Sequence, residues 1–260
     1  MTPDDAATEL LGIVADAIAR QPRSLQQAIG PSELGTPCDR RLGYKLSGTP
    51  QVNPGDVPWK PWIGTGMHEM LAGAFARDEI SRLNRGEPGR WHVEARVTVG
   101  SIGGKPVTGS ADLYDQRLGI VWDWKTSSRS MIARHYKAHG PGETYKRQAN
   151  LYGRGFALAG FPVNHVGIVF LPRDGEFRER HVWHEPYDEK LATETLARAD
   201  AIHNALAALG PSFTLPTLPV AEAFCNRCPW HDPKSRKLDR ACPGARPQET
   251  TTRTLAQALA

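Results

Sequence analysis

The placement of four cysteines constrains this chain most: Cys38 stands near one end, and Cys225, Cys228 and Cys242 stand near the other. If they act together, the fold must bring its two ends into contact. Between them run three further patterns, Gly109-Ser-Ala-Asp112, Asp123-Trp-Lys125 and Gln148-x-x-x-Tyr152. The inner run has the residue types that hold a divalent cation on a phosphodiester. The outer cysteines have the type that clasps an inorganic cofactor.

Hydropathy places the inner run on a sheet. Residues 91–99 alternate, with Trp91, Val93, Ala95, Val97 and Val99 on one face. Residues 106–115 and 118–126 read as two more strands, joined by a turn near 115–119. Asp112 then lies near the end of one strand and Asp123 near the end of the next, where they can face each other across the ladder. Adjacent carboxylates repel unless a cation sits between them. Mg²⁺ or Mn²⁺ suits such oxygen ligation and keeps waters for chemistry. Lys125, two residues after Asp123, emerges on the same sheet face. Its ammonium is suited to orient an attacking water and to offset charge growing on phosphorus. The backbone carbonyl of Trp124 is a candidate extra ligand. His68, in Gly64-x-Gly-x-His68, is a candidate third ligand, weighed against a capping or core histidine. Glu94 is a weaker candidate, because alternation sets it opposite the apolar face. Gln148 and Tyr152 are one helical turn apart and share a face.

The remaining elements follow from pattern and punctuation. Residues 4–20 read as an amphipathic helix through Leu10, Leu11, Val14 and Ile18. Pro31 and Ser32 read as a helix start, with Ser32 as its N-cap. Residues 48–61, rich in proline, read as an irregular connection, and 64–84 return to helical spacing. Residues 143–159 and 188–209 read as helices, 163–171 and 177–184 as strands, and 251–259 as a short terminal helix. The whole is an α/β fold, a mixed central sheet with helices against it.

Cys225-x-x-Cys228 is a chelating pair that Cys38 and Cys242 complete. Four thiolates suit either Zn²⁺ or a 4Fe–4S cluster, and His231 is a substitute ligand in the zinc case. Composition adds less. The net charge of +4 is compatible with nucleic acid without identifying it. Arg129, Arg134, Lys137, Lys146 and Arg147 follow the carboxylates and offer a path for a phosphate backbone. No run approaches the length that spans a bilayer, and the first residues lack the pattern of a signal peptide, so the expectation is a cytoplasmic protein without a membrane partner. His135 and His139 have the spacing of a zinc pair, lack the accompanying glutamate and read as loop residues. Gly103-Gly104-Lys105-Pro106 is no phosphate loop. Trp59 and Trp62 are candidates for base stacking or for anchoring a loop.

In this order, Ser32-x-Leu34 with Cys38-Asp-Arg-Arg, Gly64-x-Gly-x-His68, Gly109-x-x-Asp112, Asp123-x-Lys125, Gln148-x-x-x-Tyr152 and the final cysteines resemble the PD-(D/E)XK nuclease superfamily. Within it they resemble the RecB-like exonucleases, including a CRISPR-associated (Cas4-type) iron–sulfur branch. The resemblance implies a restriction-endonuclease-like core with a cysteine-ligated terminal lobe. It implies His68, Asp112 and Asp123 as metal ligands, Lys125 as catalytic lysine, and Gln148 and Tyr152 as substrate-side residues. It also implies a 4Fe–4S cluster on Cys38, Cys225, Cys228 and Cys242, and cleavage of DNA from an end, on single strands. The expected layout is one nuclease domain over 1–260, with a core at about 60–210 and a lobe formed by about 30–48 with 211–245. A helicase, a recombinase or a CRISPR integrase would be a fitting partner. The rival readings are a non-catalytic iron–sulfur or zinc DNA-binding protein and an endonuclease on the same fold.

Overall fold

The computed structural model describes residues 2–20, 29–53, 55, 57–221 and 224–245. Its centre is a five-stranded sheet in chain order: β1 (Trp91–Ile102), β2 (Lys105–Asp115), β3 (Ile120–Ser127), β4 (His165–Pro172) and β5 (His181–Pro186). The β3–β4 pair is parallel and the other three pairs are antiparallel. The expected mixed α/β sheet is therefore what forms.

Local chemistry explains the joints. Gly103 and Gly104 connect β1 to β2 with φ of 55° and 73°, the left-handed pair that a two-residue hairpin requires. Between β2 and β3, Asp115 Oδ1 accepts from the backbone N–H groups of Arg117 and Leu118, and Arg90 grips the same carboxylate at 3.1 and 2.6 Å. A parallel pair needs a long crossover, and helices supply it. Residues 129–139 form one helical stretch: α5 (Arg129–Met131), a π-turn (Ile132–Tyr136) and α6 (Lys137–His139). Then α7 (Glu143–Leu158) crosses the sheet.

Four helices precede the sheet: α1 (Pro3–Ala19), α2 (Pro31–Leu34), α3 (Asp39–Leu46) and α4 (Trp59–Asn84). After β5 come α8 (Glu189–Leu209) and the short α9 (Pro211–Thr217). Helix α4 covers one end of the sheet through Phe75, whose ring lies 5.0 Å from Trp91 and 5.6 Å from Trp124. Helix α7 covers the other face, where Phe156 stacks on Tyr114 at 4.4 Å. The main core gathers residues from α2, α3, α7, α8 and the sheet. A second, smaller core joins Tyr44 of α3 to Leu215, Cys228, Trp230 and Cys242.

Several local expectations need correction. The N-cap of α2 is Gly30, not Ser32. Pro31 takes the first helical position, and Glu33 reaches back to the Gly30 N–H at 3.2 Å. Helix α4 begins at Trp59, inside the stretch read as irregular. Pro58 is its N-cap and Pro61 lies in its first turn, where a missing N–H costs nothing. Trp59 and Trp62 are thus helical, with rings 5.2 Å apart. His135 and His139 are helical too. Residues 177–179 form a 3₁₀ turn, and the strand expected over 177–184 is β5, starting at His181. Helix α1 forms, yet Leu10, Leu11 and Val14 are exposed and Ile18 alone of its residues is buried. The terminal helix expected over 251–259 lies outside the described residues.

Candidate active site

Asp112 sits on β2, one residue beyond the Leu113–Trp122 pair, which sets it across from Asp123 on β3. Its two oxygens do different work. Oδ2 accepts the Trp124 backbone N–H at 2.7 Å, and Oδ1 lies 3.1 Å from His68 Nδ1. Thus β3 fixes the carboxylate and α4 meets it. His68 and Phe75 are seven residues apart, two helical turns, so docking Phe75 on Trp91 and Trp124 turns His68 toward the sheet.

Asp123 is 4% exposed and held from two directions. The Lys125 ammonium contacts Oδ2, as the period-2 reading expects. Gln148 Nε2 on α7 donates to Oδ1 at 3.0 Å. Lys125 Nζ also lies 5.1 Å from the centre of the Tyr145 ring, one turn before Gln148 on the same face of α7. Burial pushes the Asp123 carboxyl up to about 6, against the pull of Lys125, and the Asp112 charge adds to the rise. For His68, burial is the largest influence and lowers its pKa. The hydrogen bond to Asp112 and the charges of Asp112 and Asp123 together outweigh it, so the net shift is upward. Burial likewise raises Tyr145.

Glu94 is the residue that alternation undervalued. Among the described residues, the one group of His, Cys, Asp or Glu side chains assembled closely enough to hold a metal ion is His68, Glu94 and Asp112, with ligand atoms within 4.8 Å of one another. The pairs Val93–Leu113 and Ala95–Ala111 set Glu94 opposite Asp112, but Glu94 itself has φ of 47°. A non-glycine residue in the left-handed region interrupts the pleat. The face of β1 changes across it. His92 lies 6.3 Å from Phe156 of α7, whereas beyond the break Val97, an odd number of residues on, packs against Gly155 of the same helix. Positive φ at a non-glycine residue is the local sequence-independent mark of a constrained site.

Two oxygen ligands and one imidazole, with a third carboxylate beside them, form a donor set that suits Mg²⁺ or Mn²⁺, the nitrogen favouring Mn²⁺. Not every expected residue joins this cluster. Asp123 lies outside the trio and is tied to Lys125 and Gln148. Tyr152 is buried in the main core beside Gly109. Trp124 contributes its N–H to Asp112. Of the five basic residues that follow, Lys146 pairs with Glu185 at 3.2 Å, Arg147 with Glu143 at 3.8 Å and Arg129 with Glu179 at 4.0 Å. Arg134 and Lys137 are exposed.

The cysteines gather at the second core. Cys38 is the N-cap of α3, Cys225 opens a 3₁₀ turn (Cys225–Arg227), and the Cys242 N–H donates to Trp230 O at 2.7 Å. All are free thiols, and all line one cavity with Arg41, Tyr44 and His231. Burial raises the Cys228 thiol. Four free thiols around one cavity are a donor set that suits Zn²⁺ or a 4Fe–4S cluster.

No family model and no curated protein matches the chain. Among solved structures it is similar to SSO0001, at 18% identity over 86% of this chain and 94% of that one, with a TM-score of 0.47. It is similar to an alkaline exonuclease (LHK-Exo) from Laribacter hongkongensis, at 12% identity over 68% and 90%, with a TM-score of 0.38. A phage-related exonuclease from Haemophilus somnus 129PT shares 15% identity over 54% and 72%, with a TM-score of 0.32. At such values the chemistry rests on this chain's own residues. No helix among the described residues is long and apolar enough to cross a membrane.

Proposed function

We propose that the protein is a metal-dependent nuclease that hydrolyses DNA phosphodiesters from an end. The observation that carries this reading is the meeting of His68, Glu94 and Asp112 beside a lysine-bound carboxylate. His68, Glu94 and Asp112 would hold Mg²⁺ or Mn²⁺, with Asp123 and the Trp124 carbonyl as further oxygens. The cation, when bound, supplies Lewis acidity and lowers the pKa of its water.

The chain's own groups do the rest. The Trp124 N–H and His68 orient Asp112. Gln148 fixes one oxygen of Asp123 and leaves the other to Lys125. Lys125, supported by the Tyr145 ring, presents positive charge where an attacking water loses its proton and phosphorus gains negative charge. Arg134 and Lys137 are fitting contacts for the phosphate backbone. In the lobe, Cys38, Cys225, Cys228 and Cys242 would hold a 4Fe–4S cluster as a structural brace, a reading supported by four free thiols that line one cavity.

The test uses end-labelled linear DNA and closed-circular DNA with Mn²⁺. Wild type should release nucleotides from the linear substrate and leave circles intact. Asp112→Asn should lose at least about 100-fold in rate while keeping its fold, the scale of a lost charged catalytic group. Cut circles would make it an endonuclease. Binding without any metal-dependent product would make it a DNA-binding protein.

A further inference from the structure

The smaller core contains a buried arginine that, among the described residues, no carboxylate answers. Arg40, on α3 two residues after Cys38, is 9% exposed. Its Nε donates to Leu215 O at 3.0 Å, and its Nη2 donates to Pro216 O and Leu218 O at 2.8 and 3.1 Å. The remaining nitrogen, Nη1, faces Cys242 Sγ at 3.9 Å. The neighbouring Asp39 is taken by Arg198 at 2.6 Å. Among the described residues no Asp or Glu is in ion-pair contact with Arg40.

A guanidinium stays charged in any protein environment. Burying it is costly unless negative charge faces it. Three carbonyl dipoles at the end of α9 supply part of that charge. Among the described residues, the one group in contact that can carry a full negative charge is the Cys242 sulfur, as metal-bound thiolates do. The same sulfur accepts the Gly244 N–H at 3.4 Å, and Cys225 Sγ accepts the Ala245 N–H at 3.5 Å. Cys242 therefore carries two donors, one of them cationic.

We propose that Arg40 is the electrostatic partner of the cysteine-bound cluster, a positioning residue that holds Cys242 and raises the cluster's reduction potential. This rests on the cluster reading above. Positive charge and hydrogen bonds at a ligand sulfur favour the reduced, more negative form of a cluster. A plain strut would behave differently. If Arg40 merely ties α3 to residues 215–218, losing it weakens the lobe and leaves the potential unmoved.

The experiment compares wild type, Arg40→Gln and Arg40→Lys, all purified without oxygen. Iron and sulfide are assayed per chain, and the clusters are titrated with dithionite while visible absorption and spin resonance are followed. Arg40→Gln that retains iron should be at least tenfold harder to reduce, about 59 mV more negative for one electron. Arg40→Lys should recover most of that shift, although one ammonium cannot span the three carbonyls. An iron-loaded Arg40→Gln with an unchanged potential would overturn the proposal. If Arg40→Gln fails to hold iron, wild type grown with ¹⁵N-arginine decides. Pulsed spin resonance of its reduced cluster, and of that of Arg41→Gln grown the same way, should show a nitrogen coupling altered by the isotope, and a spectrum unaltered in either protein overturns the proposal. Wild type that holds zinc in place of iron defeats the cluster reading itself, and this one with it.

Discussion

Asp123 and His68 share one predicament: each is pressed into a buried site where its charged state depends on its neighbours. Asp123 is pushed up to about 6 by burial, and His68 is raised by Asp112 and Asp123 over the opposing effect of burial. To hold a cation, the imidazole must be neutral and the carboxylates ionised. Both raised values mean that protons compete with the metal in the cation-free site. Affinity is therefore full above the raised pKa values and falls as pH drops through about 6. Calorimetric Mn²⁺ titrations at pH 7.5 and 5.5 should show binding weaker at the lower pH by about tenfold or more. Equal affinity at the two values would show that neither group is coupled to the metal.

The same element that hides a ligand reveals how the helices are seated. Gly155 lets α7 lie close on β1: a Cβ there would stand 2.5 Å from Val97 Cγ2. Gly155→Ala should cost about 1–3 kcal/mol by overpacking, and denaturant melts would read this. The expectation fails if the variant is as stable as wild type. Regular periodicity made the core of the site legible. Two residues per pleat placed Lys125 beside Asp123, and the β2–β3 turn placed Asp112 across from it. Glu94 was legible only as a weaker candidate, because its φ of 47° breaks the alternation by which it was judged. Gln148 was singled out as a site residue only through the family resemblance, and its bond to Asp123 depends on how α7 crosses the sheet. Tyr145 gave no signal at all, since its place under Lys125 is fixed by tertiary packing. The start of α4 was missed because prolines there were read as breakers, although the first helical turn tolerates them.

At the scale of the whole molecule, two segments far apart in sequence, α3 and residues 215–242, meet in the smaller core. The Tyr44 ring stacks on Trp230 at 5.6 Å, and the Tyr44 hydroxyl donates to Leu238 O at 2.7 Å. Cys38 reaches the same cavity as Cys225, Cys228 and Cys242. Replacing Cys38 by serine should loosen this joint first. Hydrogen exchange should quicken in α3 and over residues 224–245, while β2 and β3 keep their protection. Uniform loss of protection across the sheet would instead make the lobe and the core one cooperative unit. The proposed metal site lies at the sheet, where His68, Glu94 and Asp112 would hold one ion, with Glu94 contributed from β1. The most direct test is Mn²⁺ binding to wild type and to Glu94→Gln at pH 7.5, followed by spin resonance of the free ion. Wild type should bind the ion at this site, and Glu94→Gln should bind it about tenfold or more weakly, the usual consequence of altering a site's ligand shell. Equal binding by the two proteins would contradict the account and return Glu94 to the solvent-facing role that its alternation suggests.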